Sequence, residues 1–202
     1  MILIPVLCGS YLLGAIPTGV IIGRFRGVDV RRHGSGNVGA TNVYRVVGRL
    51  PGLLVLAVDM IKGWFPVAVL AASAVRWDPT LAPDCVAILS GMAAVAGHIF
   101  NPFLQFRGGK GVATSLGVLL ALSHQLALSA AAVWIIAVFV TRYVSVASIA
   151  AALASPFLMF SLGLPTPWVL GGIVVSIAII ARHRENILRL MHGEENRFSR
   201  KK

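Results

Sequence analysis

Residues 112–141 read VATSLGVLLALSHQLALSAAAVWIIAVFVT, and the number of times this stretch crosses a bilayer decides the fold. Its 30 residues carry no acidic or basic charge apart from the titratable His124. As one helix it would run about 45 Å at 1.5 Å per residue. That exceeds a hydrocarbon core of about 30 Å even with tilt. Two full spans need roughly 36 residues. Polarity dips at Ser123-His124-Gln125, which predicts a tight turn between two short helices.

Outward from this stretch, further apolar runs are bounded by Pro, Gly or charge: Ile2–Gly23, Gly52–Val75, Cys85–Phe100, Val144–Leu162 and Pro167–Ala181. Hydrophobic residues make up 57% of the 202, charged residues 12%, and mean hydropathy is +0.83. A soluble domain carries about 25% charged residues, so a soluble globule is excluded. Apolar runs recurring as far as residue 181 exclude a cleaved leader as the whole explanation, and disorder fails for want of polarity. The expectation is an all-α, polytopic integral membrane helical bundle, with residues 1–202 as a single domain.

Charge sets the orientation. If residues 112–141 cross twice, the chain has seven transmembrane helices and its ends lie on opposite sides. Arg24, Arg26, Arg31, Arg32, Arg45, Arg49, Arg107, Lys110, Arg142, Arg182, Arg184, Arg189, Arg197, Arg200, Lys201 and Lys202 then share one face, and Arg76 lies opposite. The positive-inside rule places the N-terminus outside and the C-terminus in the cytoplasm. The net charge of +11 also suits anionic ligands or membrane lipid headgroups. No soluble domain is present to offer it to nucleic acid. Within the first span, Ser10-xxx-Gly14 and Gly19-xxx-Gly23 predict close helix contact and Pro17 predicts a kink. Cys8 and Cys85 lack metal-ligand spacing and read as buried apolar thiols.

Three polar, glycine-containing segments reach the basic face under this topology. They are Arg31-Arg32-His33-Gly34-Ser35-Gly36-Asn37-Val38-Gly39-Ala40-Thr41-Asn42-Val43-Tyr44-Arg45, Phe106-Arg107-Gly108-Gly109-Lys110-Gly111-Val112-Ala113-Thr114, and Ala181-Arg182-His183-Arg184-Glu185-Asn186 onward past Gly193 and Glu194. Glycine lets backbone approach a ligand, and successive N–H groups in such turns form anion nests. Gly108-Gly109-Lys110-Gly111 opens directly into an apolar helix, which suits phosphate, although the spacing is not that of a Walker A loop. Arg45, Lys110, Arg182 and Arg184 supply positive charge to such a pocket. Asp59 and Lys62, three apart, predict a structural ion pair near the cytoplasmic end of the second span. His98 is expected to hydrogen-bond a neighbouring loop, and His124 falls in the outer turn.

Taken together, Gly14-Ala15-Ile16-Pro17, Gly34 through Asn42, Asp59-Met60-Ile61-Lys62-Gly63, Gly97-His98-Ile99-Phe100, Phe106 through Thr114 and His183-Arg184-Glu185-Asn186-Ile187 resemble the bacterial acyl-phosphate:glycerol-3-phosphate acyltransferase family. The resemblance covers nearly the whole chain in order and spacing. One departure is Asn101-Pro102, where many members carry proline directly after the aromatic residue.

The resemblance implies a multi-pass protein of the bacterial inner (plasma) membrane with its site on the cytoplasmic face. It implies acyl transfer from acyl phosphate to the 1-hydroxyl of sn-glycerol 3-phosphate, giving lysophosphatidic acid and phosphate, with no cofactor and no metal. On this reading Gly36, Gly39, Gly108, Gly109 and Lys110 contact phosphate within motifs that include Gly111, and Arg45 serves the second phosphate. Ser35, Asn37 and Asn42 position substrate oxygens. His183 is the candidate base or orienting group, with Asn186 beside it at i+3, and a substrate phosphate oxygen is the alternative base. The chain lacks the His-x-x-x-x-Asp pattern of coenzyme A-dependent relatives, a multi-aspartate signature and a Gly-x-Ser-x-Gly elbow. Polarity gathered at one face disfavours a transporter, which places polar groups at midplane. A lipid-binding scaffold has no need of Ser35, Asn37 and Asn42 among glycines.

Overall fold

A computed structural model of the chain describes residues 2–197, so the basic positions Arg200, Lys201 and Lys202 lie outside the described residues. Every regular element among those residues is a helix. The chain divides into two compact units between Leu122 and Ser123. The first holds α1 (Leu3–Gly14), α2 (Thr18–Phe25), α3 (Ala40–Val46), α4 (Arg49–Phe65), α5 (Ala72–Trp77), α6 (Pro83–Ile99) and α7 (Val112–Leu122). The second holds α8 (His124–Thr141), α9 (Val144–Ser161), α10 (Thr166–Arg182) and α11 (Arg184–Met191).

The deciding stretch breaks where its polarity dips. Ser123 is extended (φ −160°, ψ 124°), and its side chain accepts from Leu126 N at 3.3 Å, capping α8. The two products are unequal. With 11 residues α7 rises about 17 Å, roughly half a bilayer core. Five segments are long and apolar enough to cross a membrane: Leu3–Phe25, Arg49–Trp77, Pro83–Leu104, His124–Thr141 and Val144–Ser161. A sixth arises if α10 and α11, bent by 52°, are taken as one.

Proline shapes two of the long segments of the first unit. At Pro17 the expected kink is a full break, because α1 stops at Gly14 and α2 starts at Thr18. At Pro66 the helix continues through a π turn, Pro66–Ala71, into α5. Proline lacks the N–H and crowds the preceding carbonyls, and a wider turn accommodates both faults.

Small residues set the helix spacing. A Cβ on Gly14 would enter the backbone of Ala94, and one on Gly97 that of Tyr11, so α1 and α6 touch backbone to backbone. Gly63 and Gly117 do the same for α4 and α7, against Thr114 and Met60. The expected role of Gly19 and Gly23 is corrected: they face the carbonyls of Val38 and Val28 in the following loop, not another helix. In the second unit, Ser176 Oγ of α10 donates to Ala152 O at 2.5 Å and Trp134 Nε1 of α8 to Ser148 Oγ at 3.2 Å, tying both helices to α9.

Candidate functional site

The first polar segment is a loop folded over an apolar base. Val30, Val38 and Val43 are buried with Val20 and Val55, and Leu104 packs against the same cluster. Leu104 belongs to the turn that leads into the second polar segment, so this base brings that lead-in beside the first segment within one unit. Asn42, only 2% exposed, is the clamp above it. Its Nδ2 donates to Val30 O at 2.9 Å and His33 O at 3.1 Å, and its Oδ1 accepts from Ser35 N at 2.9 Å. The sequence assigns Asn42 to substrate oxygens, but these three bonds spend its amide on the loop. The Ser35 hydroxyl takes no part in the clamp.

The anion-nest reading is likewise revised at Gly36 and Gly39. Gly36 N donates to His33 O at 3.1 Å, and Gly39 N to Asn37 Oδ1 at 2.8 Å. Asn37 therefore folds the loop as an Asx turn. Gly36 sits at φ 68°, in the left-handed region that favours glycine. At the loop's start Asp29 binds Arg31 through both carboxylate oxygens at 2.9 Å and also accepts the Arg31 N–H at 3.1 Å. The Arg31 side chain and backbone together hold the Asp29 carboxyl down at about 2. Arg45, on α3, is exposed.

The second polar segment folds against the end of α6. Gly109 N donates to His98 O at 3.1 Å and Gly108 N to Ile99 O at 3.0 Å. These N–H groups meet carbonyls, so the expectation that they cradle phosphate is corrected. The glycines serve closeness instead. A Cβ on Gly109 would enter the buried His98 imidazole, and one on Gly108 would enter His98 O. The sequence foresaw a structural His98 beside a loop, and Gly109 forms that loop. Lys110 is half-buried just before α7, and Thr114 is fully buried in its first turn. The loop's start carries strain, with the non-glycine residues Gln105 and Phe106 at φ 53° and 61°.

The third polar segment lies in the second unit. His183, 2% exposed, links α10 to α11, and its Nδ1 stands 2.8 Å from Ile179 O. A carbonyl only accepts, so Nδ1 carries a proton in this contact. Asn186 is buried in the first turn of α11, where its Nδ2 donates to Glu195 Oε1 at 2.6 Å. Glu195 Oε1 also accepts from Ser145 Oγ at 2.8 Å, and Oε2 pairs with Arg189 Nε at 2.8 Å. Burial pushes the Glu195 carboxyl up, but hydrogen bonds from Asn186, Arg189 and Ser145 outweigh it and leave the group below its usual range. Arg197 donates to the Tyr143 hydroxyl at 3.0 Å and lies over that ring at 5.6 Å. Arg182 is half-buried and Arg184 exposed.

Sequence reasoning missed Glu195, naming only its neighbour Glu194 in the segment, and noted Asn101 only as a departure from the family pattern. The lone acids in a basic tail were the signal for the first, and an amide at the end of an apolar span for the second. The Asp59–Lys62 pair is present at 2.9 Å with side chains 3% and 5% exposed. It lies about 15 Å along a helix that starts at Arg49. Cys8 is exposed and Cys85 partly so, which corrects the expectation that both are buried, and both are free thiols. His124 is exposed at the start of α8. Among the described residues no group of three or more His, Cys, Asp or Glu is arranged to hold a metal.

Three comparisons bear on this arrangement. A family profile described as glycerol-3-phosphate acyltransferase matches residues 4–193. A glycerol-3-phosphate acyltransferase of Synechococcus sp. (strain JA-3-3Ab) is 45% identical over 194 residues, covering 96% of this chain and 92% of that one. Crystal structures of PlsY (YgiH), an integral membrane glycerol 3-phosphate acyltransferase, superpose closely. Its glycerol 3-phosphate form gives a TM-score of 0.89 at 43% identity, covering 98% of this chain and 96% of that one. Its lysophosphatidic acid form gives 0.87 at 42%, covering 98% and 95%.

Proposed function

The chain belongs to the glycerol-3-phosphate acyltransferase family, and from that premise we propose that its acyl donor is an acyl phosphate. The acyl group passes to the 1-hydroxyl of sn-glycerol 3-phosphate, giving lysophosphatidic acid and inorganic phosphate. The observation that carries this reading is a basic, glycine-rich loop on a valine base, with the lead-in to the second such segment, Leu104, packed on the same base in a helical membrane protein. Both substrates bear phosphate, and one bears a tail that belongs in hydrocarbon. The PlsY structures with glycerol 3-phosphate and lysophosphatidic acid support the acceptor and the product.

The proposed roles are as follows. Arg45 and Lys110 of the first unit bind phosphate oxygens by charge, and Arg182 and Arg184 of the second unit are further candidate substrate-binding cations. A lysine just before α7 opposes the positive end of that helix, and a phosphate there reconciles the two. Gly36, Asn37, Gly39, Gly108, Gly109 and Gly111 shape the backbone that substrate approaches, and Asn42 holds it. Ser35 offers its hydroxyl to a substrate oxygen. His183 is the candidate base that takes the proton of the attacking hydroxyl, with a substrate phosphate oxygen as the alternative acceptor. Asn186 orients this region through Glu195.

An acyl phosphate is already activated, so the bound hydroxyl attacks it directly. A carbon–oxygen bond forms to glycerol, the carbonyl's bond to phosphate breaks, and phosphate leaves with the electron pair. The seven apolar segments are read as seven crossings with α7 the shortest. The N-terminus is then outside, and the site lies on the cytoplasmic face of the inner membrane.

The test is purified protein with palmitoyl phosphate and glycerol 3-phosphate, scored for lysophosphatidic acid, with palmitoyl coenzyme A as the competing donor. Turnover with coenzyme A ester and none with acyl phosphate would refute the donor assignment.

A further inference from the structure

In an unbroken helix each carbonyl accepts the N–H four residues on. At Pro17 that ladder fails. Val20 N and Ile21 N both donate to Pro17 O at 3.0 Å, so Ile16 O loses its helical donor and takes Thr18 N at 2.9 Å instead. Two buried side chains meet the carbonyls of the break from outside. Asn101 Nδ2 donates to Ala15 O at 2.5 Å, and Lys62 Nζ donates to Ile16 O at 3.0 Å. Asp59 balances the Lys62 charge at 2.9 Å. Unsatisfied carbonyls are costly inside a membrane, which accounts for an amide and an ammonium in so apolar a place.

Each side of this joint leads to a polar segment. Asn101 opens the turn that runs into Arg107-Gly108-Gly109-Lys110. Its Oδ1 accepts from Phe103 N at 3.0 Å, and its carbonyl accepts from Leu104 N at 3.1 Å and Phe106 N at 2.7 Å. On the other side, α2 presses Gly19 on the Val38 carbonyl and Gly23 on the Val28 carbonyl, so the place of α2 sets the place of the first loop.

We infer that Lys62 and Asn101 are positioning residues: by docking on adjacent carbonyls at the break, they register the two polar segments against each other. Asp59 and Lys62 thus serve the reaction without touching substrate. The inference rests on the acyltransferase reading for its kinetic readout only.

The test uses the full-length protein in nanodiscs. Asn101→Leu removes one arm. Asp59→Asn with Lys62→Met removes the other and leaves no buried charge alone. Hydrogen exchange is followed in peptides covering 28–42 and 101–111, beside kinetics with palmitoyl phosphate and glycerol 3-phosphate. Each variant is expected to exchange about tenfold faster in both segments, although Lys62 lies in neither. KM for glycerol 3-phosphate is expected to rise about fivefold or more in folded enzyme. Asn101→Asp keeps the acceptor for Phe103 and loses the donor to Ala15, so it is expected to behave as Asn101→Leu does. Exchange changes confined to the substituted element, an unchanged KM in folded variants, or a wild-type-like Asn101→Asp would each overturn the inference. The exchange arm is independent of donor identity, so it decides the matter even if palmitoyl phosphate proves inert.

Discussion

Replacing Asn42 with alanine separates a loop clamp from a substrate contact. The side chain makes bonds to Val30 O, His33 O and Ser35 N, at 2.9, 3.1 and 2.9 Å, and is nearly inaccessible to solvent. A neutral hydrogen bond contributes about 1 kcal/mol net, so loss of all three removes about 3 kcal/mol from the closed loop. At about 1.4 kcal/mol per tenfold change, the open population rises about a hundredfold. Arg31 and Arg32 are exposed on that loop and are the natural points for trypsin. The assay is the rate of limited tryptic cleavage after these arginines, followed with the turnover of the same preparation. Cleavage is expected to accelerate about a hundredfold, with kcat/KM falling by at least about tenfold. Lost turnover at an unchanged cleavage rate would refute the clamp and return Asn42 to the substrate.

Gly109→Ala is expected to lower kcat/KM by about tenfold or more through overpacking against His98, and Gly108→Ala to do more harm because its Cβ meets a backbone oxygen that cannot rotate away; equal effects in a kinetic comparison would contradict the steric account. Arg45→Ala and Lys110→Ala are each expected to lose at least about tenfold in kcat/KM, since a charge-assisted bond contributes about 1.5–3 kcal/mol, and a salt titration of the wild type should show the same dependence. Glu195 titrates below its ordinary value of 4.5 in the folded protein, so its stabilisation is complete above that pH and is lost as pH falls through the lower folded value; the wild-type melting temperature should drop over that acid range while Glu195→Gln stays flatter. Incubation with radiolabelled acyl phosphate alone should leave no label on denatured enzyme, and label retained by wild type but not by Ser35→Ala would establish Ser35 as a nucleophile.

Local sequence showed where the chain could be polar, and in the membrane that is most of the fold. The break at Ser123 was legible because a serine, a histidine and a glutamine interrupt an apolar run, and a serine can cap the helix that follows. Five crossings by length and composition fell on or around the expected runs. The ends of α7, Val112 and Leu122, were legible for the same reason, because the glycine loop closes at Gly111 and the polar dip opens at Ser123. The site was legible only in part. The glycine-rich segments were visible as motifs, but the fate of their N–H groups was not. Gly109 N meets a carbonyl eleven positions away, and the Asn42 amide reaches twelve positions back to Val30. Which of two adjacent glutamates turns inward was equally hidden. Glu195 reaches Ser145, which is fifty positions away in the chain and visible only once α9 and α11 are placed.

The corrections share one physical cause. Glycine, asparagine and lysine here act mainly on the chain itself: Gly108 and Gly109 by subtracting volume beside His98, Asn42 and Asn101 by closing loops, Lys62 by mending a broken helix. On the proposed reading the donor is an acyl phosphate, which needs no covalent catalyst, so rate depends on holding two phosphate-bearing substrates in one attack geometry. A misplacement of about 1 Å in such a geometry can cost about a hundredfold in rate. Flexible glycine-rich loops would squander that precision if their N–H groups and carbonyls were left to water. Bonding them internally agrees with the proposal that side-chain charge, on Arg45 and Lys110, is the part that meets substrate. The residues most remote from chemistry by type, an amide at a span's end and a buried lysine, are therefore among those on which the reaction should depend most sharply.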